Sequence, residues 1–224
     1  MKLKILLMSF ESTNDFKEDA GCLRGFFATK FNEFVELHNH ITDKYVYSYP
    51  LIQYKMFNQK PLIVGINDGV DILKEILDQF EIITLNHTDY EIIERSMIIK
   101  KEDFCLTKKI HFYEFVTPWA ALNQKNHERY MLIKNEESRT ALLRKILTGN
   151  LLSMSKTFGY TVPDTIKCDI DLMSREMEFK GRNFTSFCGG FMVNFSIPDY
   201  LGIGKSVSKG YGTVRKWYGP PDMY

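Results

Sequence analysis

Strong charge of one sign is missing from this chain: Lys and Arg total 29 against 28 for Asp and Glu, a formal balance of +1. An overall basic surface, the usual footprint of a nucleic-acid binder, is thereby excluded, and any polyanionic partner must be held by a local patch. Long hydrophobic runs are missing too. No stretch of about 18 apolar residues occurs, so no transmembrane helix is expected. The start, Met1 to Met8, is basic then apolar like a signal peptide, but the apolar run is short and polar Ser9 to Asp19 follows. A first β-strand in a cytoplasmic protein is the expectation. Cysteine is scarce: Cys22, Cys105, Cys168 and Cys188 show no C-x-x-C spacing, which argues against a zinc site or disulfide framework and for buried thiols. What the chain has is size and aromatics. Its 224 residues are 44% hydrophobic and 25% charged, enough for one large or two small domains with their own cores, and 17 Phe with 12 Tyr is an unusual load.

Periodicity predicts a strand over 2–10 and a helix over 19–39, with Phe27, Phe31, Phe34 and Val35 on one stripe and Asn39 as its C-cap. Strands follow over 44–57 and 60–66, joined by a turn at Asn58-Gln59, then a helix over 70–80 capped by Asn67 or Asp68, and an extended segment over 81–85. That order, β-α-β-β-α-β, is ferredoxin-like. After His87 the pattern changes to strands over 90–101 and 108–118, a long helix over 136–158, and strands over 169–178 and 184–197. The expectation is an α+β chain of two domains, residues 1–88 and 89–224, with no legible sequence repeat.

The segment from Leu201 to Trp217 holds Lys205, Lys209, Arg215 and Lys216 and no acidic residue, so it supplies the local basic patch. It is also glycine-rich. Gly202, Gly204, Gly210 and Gly212 allow positive φ and close approach, and successive N–H groups of such a loop can cradle phosphate oxygens. Gly204-Lys205-Ser206 is not a nucleotide-hydrolysing P-loop, because Asp199 stands where its first glycine belongs and Gly210 and Gly212 replace its helix. Nor is it a dinucleotide fingerprint, because Val207 occupies the third glycine position. The alternative to phosphate binding is a plain mobile loop.

His38 and His40 are a second candidate. Two imidazoles with pKa about 6.5 can divide a proton transfer near neutral pH, one taking and one giving. On a helix, His38 would fall one turn beyond Phe34, where a satisfied core histidine is also at home. No further Cys, His or carboxylate stands at ligand spacing, so a metal is not expected. Lys30 falls two turns before His38, roughly on the same side of the expected helix, and Tyr45, Tyr47 and Tyr49 alternate along one face of the next strand. A lysine can stabilise a pentavalent phosphate, and tyrosines can bond phosphate or stack on bases. His87, His111 and His127 are isolated.

These residues resemble a family: the CRISPR-associated endoribonucleases that cut precursor repeat RNA into guide RNAs. Gly202-Ile-Gly204-Lys-Ser-Val-Ser208-Lys-Gly210-Tyr-Gly212 looks like its signature G-x-G-x-x-x-S-x-G-[FY]-G. Leu23-Arg24-Gly25, the run Tyr49 to Lys55 and the run Ile63 to Gly69 are similar to its subtype I-B branch. The resemblance implies two tandem ferredoxin-like (RRM-like) domains, the C-terminal one degenerate, with RNA on their basic face. It implies a cofactor-free, metal-independent cleavage in which a ribose 2′-hydroxyl attacks the adjacent phosphate, with His38, His40, Tyr47 and Lys30 as catalytic residues. RNA-binding positions would be Arg24, Gly202, Gly204, Lys205, Ser206, Ser208, Lys209, Gly210, Tyr211 and Gly212. The expected partner is CRISPR repeat RNA, with other subunits of an interference complex as further candidates and a monomer or homodimer as the assembly. The competing readings are a non-catalytic RNA-binding subunit of such a complex and a subunit that contacts only proteins.

Overall fold

The computed structural model describes residues 1–38, 49–179 and 182–219. Its chain divides into two compact units, one formed by Lys2–Glu102 with Val207–Gly210, the other by Met1, Asp103–Ser206 and the chain from Tyr211 on.

In the first unit β1 (Lys2–Ser12), α1 (Ala20–Lys30), α2 (Val35–His38), β2 (Ile52–Phe57), β3 (Lys60–Ile66), α3 (Asp68–Ile76), β4 (Ile82–Leu85) and β5 (Thr88–Asp103) follow in order. The sheet runs β2-β3-β1-β5-β4. Both hairpins close through two left-handed residues, Asn58 (φ 47°) and Gln59 (φ 64°) between β2 and β3, Asn86 (φ 43°) and His87 (φ 69°) between β4 and β5. That backbone matches the right-handed strand twist and tolerates asparagine best. The β4–β5 hairpin spans the boundary expected at residues 88 and 89, and the unit runs on to Glu102. The reason is burial: Tyr90 and Ile92 of β5 enter the same core as Phe10, Phe27 and Phe80. Phe27 and Phe80 meet edge-on with centroids 5.2 Å apart, and Phe10 and Phe80 at 5.4 Å, which accounts for much of the aromatic load.

The expected helix over 19–39 is broken. Asp19 caps α1 by accepting from the Cys22 N–H, and α1 stops at Phe31, whose N–H still reaches the Phe27 carbonyl. A turn then leads to α2. Phe31 and Leu37 are both buried while Val35 is 45% exposed, so the apolar stripe predicted through Val35 is corrected: the chain turns in order to bury Phe31 and Leu37 in one core. Asn67 holds the N-cap position of α3 without a side-chain cap bond, and its Oδ1 accepts the Lys4 N–H of β1 at 3.1 Å instead.

The second unit consists of β6 (Cys105–Trp119), α4 (Gln124–Leu132), α5 (Glu136–Thr157), β7 (Cys168–Phe179), β8 (Arg182–Ser196) and β9 (Val214–Lys216), in a sheet ordered β7-β8-β6-β9. Helix α5, capped by Asn135, buries Leu143, Leu147, Leu151 and Met154 at helical spacing. Relabelled from its own first strand, the order is 2-3-1-4, the ferredoxin-like arrangement. Helices fill the first crossover, but the second, between β8 and β9, is the glycine-rich segment. That is the physical content of a degenerate ferredoxin-like domain. Both units are α+β, as expected. All four cysteines are free thiols, but each is half-buried rather than buried. No helix among the described residues is long and apolar enough to cross a membrane.

Candidate functional site

Of the four residues expected to be catalytic, Lys30 is described in full. It ends α1, where a cation suits the helix dipole, and its side chain is exposed with Nζ 5.8 Å from the Phe31 ring centre. Together with Gly25, Thr29 and Asn86 it lines a groove of about 500 Å3 along the open flank of α1. The backbone of His38 closes α2. Because α1 and α2 are separate, the expectation that Lys30 and His38 share one continuous helix is corrected. His40 and Tyr47, with Tyr45, lie outside the described residues. His87 occupies the β4–β5 turn, and His111 Nε2 lies 3.0 Å from Thr107 Oγ1 on β6.

Arg24 stands half-buried on α1 and acts electrostatically on Tyr54 of β2, whose hydroxyl is pushed up by burial and pulled back by the guanidinium. The remaining candidates lie on the glycine-rich segment. In its first part Leu201 and Ile203 are buried, Gly202 bridges to Thr213, and Lys205 and Ser206 are exposed. Gly204 (φ 96°) lies so close to Trp119 that a Cβ would sit 2.5 Å from Nε1, and at Gly212 (φ 62°) a Cβ would sit 2.0 Å from the Ile203 carbonyl. The close approach that demands these glycines is thus to the protein itself. The amides follow the same rule. Ile203 donates to Gly212, Lys205 to Ala120, Gly212 to Pro118 and Val214 to Leu201. These N–H groups are committed internally and are not open to an anion. Tyr211 is half-buried and packs edge-on to Phe184 at 5.7 Å.

The basic patch is smaller than the sequence implied. Arg215 is paired with Glu114 at 2.6 Å, across the β6–β9 ladder, so its charge is locally matched. A larger hollow of about 580 Å3 on the second sheet contains none of the candidate residues, and two carboxylates of its wall, Glu114 and Asp169, are paired with Arg215 and Arg144.

Sequence reasoning missed the role of Gln53 and Lys55, which it met only inside a family-like run. Every residue from Ile52 to Lys55 is buried. Lys55 Nζ donates to Gln53 Oε1 at 3.0 Å and to the Val207 carbonyl at 3.2 Å. Burial alone lowers this amine to about 7. The alternation of polar Gln53 and Lys55 with apolar Ile52 and Tyr54 reads as a half-exposed strand, but the distant Val207–Gly210 turn lies against Lys55.

Two ferredoxin-like sheets in tandem, the second with a glycine-rich crossover in place of a helix, define the class of the Cas6 proteins. Thermus thermophilus Cas6 shares the fold at 10% identity, with a TM-score of 0.56 over 97% of this chain and 98% of that one. Closer matches narrow the class. The family models for the Cas6b N-terminal and C-terminal domains match residues 1–103 and 105–217, so the chain belongs to the Cas6b family. A crystal structure of Cas6b is 38% identical with a TM-score of 0.90, covering 97% of this chain and 100% of that one. A structure of the CRISPR RNA processing endoribonuclease Cas6b has the same identity and coverage and a TM-score of 0.79. An uncharacterised protein of Methanocaldococcus jannaschii is 40% identical over 141 residues, 62% of this chain and 95% of its own length.

Proposed function

We propose that this chain is the endoribonuclease that cuts CRISPR precursor RNA within its repeats to release guide RNAs. The observation that carries the reading is full-length: a solved CRISPR RNA processing endoribonuclease is matched at 38% identity over 97% of the chain. In the proposed reaction the ribose 2′-oxygen forms a bond to the adjacent phosphorus and the bond from phosphorus to the 5′-oxygen breaks. One imidazole of His38 and His40 takes the 2′ proton, the other protonates the leaving oxygen, and Tyr47 orients the phosphate. Lys30 offsets the extra negative charge of the pentavalent phosphate. The products are a cyclic phosphate and a 5′-hydroxyl. Lys205, Ser206, Ser208 and Lys209, on the crossover segment, hold backbone phosphates, with Arg24 as a further cation.

Purified protein incubated with internally labelled repeat RNA in EDTA tests the reading directly. Cleavage supports it, binding without cleavage favours the non-catalytic RNA-binding subunit, and neither favours a protein-contacting subunit. A 2′-deoxy nucleotide before the scissile phosphate removes the nucleophile, so cutting of that RNA, or strict dependence on added magnesium, overturns the mechanism.

A further inference from the structure

A lysine is among the costliest residues to enclose, because its ammonium gives up hydration that only a carboxylate or several carbonyls can replace. Lys55 is 0% exposed. Its two acceptors are an amide oxygen and a backbone carbonyl, and no carboxylate contributes to lowering or raising its affinity for a proton. Gln53, the first acceptor, donates from Nε2 to the Pro50 carbonyl at 3.2 Å, so the pair forms a buried polar chain along β2. The second acceptor is informative. The Val207 carbonyl also receives the Gly210 N–H at 3.2 Å, the bond that closes the 3-10 turn Val207–Lys209. Lys55 therefore occupies the other lone pair of the very oxygen on which the turn folds. Packing at the far end is equally tight: a Cβ on Gly210 would lie 3.0 Å from the Ala20 Cβ and 3.3 Å from the Tyr54 carbonyl.

We propose that Lys55 is a positioning residue for RNA binding: its amine pins the Val207–Gly210 turn to β2 and thereby sets where Ser208 and Lys209 stand. The proposal rests on the reading of the glycine-rich segment as an RNA-binding element. Lys55 touches no RNA, being wholly enclosed. Charged and neutral amine both keep at least two N–H donors, so both serve the two acceptors.

The test is made on the full chain with Lys55→Met, which keeps an unbranched apolar stem one atom shorter than that of Lys and removes its donors. Hydrogen exchange without RNA should quicken about tenfold or more at the Val207–Gly210 amides, the scale of one lost hydrogen bond, while the β1–β3 ladder stays protected. Affinity for labelled repeat RNA should fall as it does in Lys209→Ala, and the salt slope should flatten by roughly 0.7, one single-strand phosphate contact. In the double variant the two losses should not multiply, because one acts through the other. Unchanged exchange at the turn, or losses that multiply independently, overturns the proposal. A wild-type chain that binds no repeat RNA overturns the RNA-binding reading and this role with it, whereas faster exchange in that case still shows that the amine holds the turn. If Lys55→Met does not melt cooperatively, Lys55→Gln, as long as Met and still polar, is carried through the same two measurements.

Discussion

The two units solve one topological problem differently. Each must carry the chain from its third strand past its first to the opposite side of the sheet, to edge strand β4 beyond β5 in one unit and to β9 beside β6 in the other. In the N-terminal unit α3 does this, burying Val70, Leu73 and Ile76. In the C-terminal unit the glycine-rich segment does it, burying Leu201 and Ile203 and spending its amides on Ala120, Gly212 and Pro118. A helix would present one fixed face to solvent at regular spacing. The extended crossover buries apolar anchors at its start and brings Lys205 and Ser206 to the surface directly beyond them, with Ser208 and Lys209 close behind. In place of a helix the segment keeps Leu201 and Ile203 as buried anchors and follows them with a short cationic, hydroxyl-rich strip of sequence, 205–209.

The proposed function gives the chemistry to His38, His40, Tyr47 and Lys30 and phosphate contact to the crossover, and the largest expected effect lies in that division. Replacing His38 and His40 together with Ala should slow single-turnover cleavage by about two to four orders of magnitude while RNA affinity stays near the parental value. Parental cleavage by the folded double variant would remove the division altogether. Next comes the claim that the crossover is core as much as α3 is. Leu73→Ala and Ile203→Ala, both at 0% exposure, should each cost about 2–5 kcal/mol in urea denaturation. A near-neutral Ile203→Ala would mean that the segment does not replace the helix.

A smaller effect concerns Lys55. Its amine titrates near 7 when folded and at 10.5 when free, so the unfolded chain binds more protons between those values and stability rises with pH across that window. Below 7 both states are protonated and the full cost of enclosing the charge remains. The wild type should gain roughly 1.4 kcal/mol per unit from pH 7 to 9 relative to Lys55→Met, read from parallel urea melts. The smallest effect is on the strip itself. Lys205→Ala with Lys209→Ala should weaken RNA binding and flatten the salt slope by roughly 0.7 per lost contact, leaving the chemical step nearly intact. An unchanged slope would relocate phosphate contact to other cations such as Arg24.

Local chemistry made much of this readable. The strand over 60–66, the turn at Asn58-Gln59 and the long helix from residue 136 rest on local spacing and residue type, and each appears where expected. The signature glycines were found as well, although for a different reason: Gly204 and Gly212 admit Trp119 and Ile203, not a ligand. What escaped is what tertiary burial decides. Nothing between Lys30 and Phe34 marks a helix break until Phe31 and Leu37 claim the same core. Helix α4 is almost wholly polar, with Tyr130 as its one buried residue, and so has no stripe to read. Strand β5 joins the first sheet because of Tyr90 and Ile92, and the residues between Met97 and Ile99 hide that by being apolar yet exposed. Lys55 and Gln53 read as a wet face because the turn that covers them lies far along the chain.

That distance has a consequence for how the protein is made. The bond from Lys55 to Val207 joins residues 152 positions apart, so during synthesis nearly the whole chain leaves the ribosome before the N-terminal unit can finish. At ordinary elongation rates of about 5–20 residues per second, the polar face of β2 waits for its cover for many seconds after its own sheet is complete. Until then the amine is hydrated and fully charged, and the N-terminal sheet folds as an open form of itself. Docking of the Val207–Gly210 turn is thus a late, non-local closure, and a chain cut short before Val207 stops at that open form however well its first sheet is built.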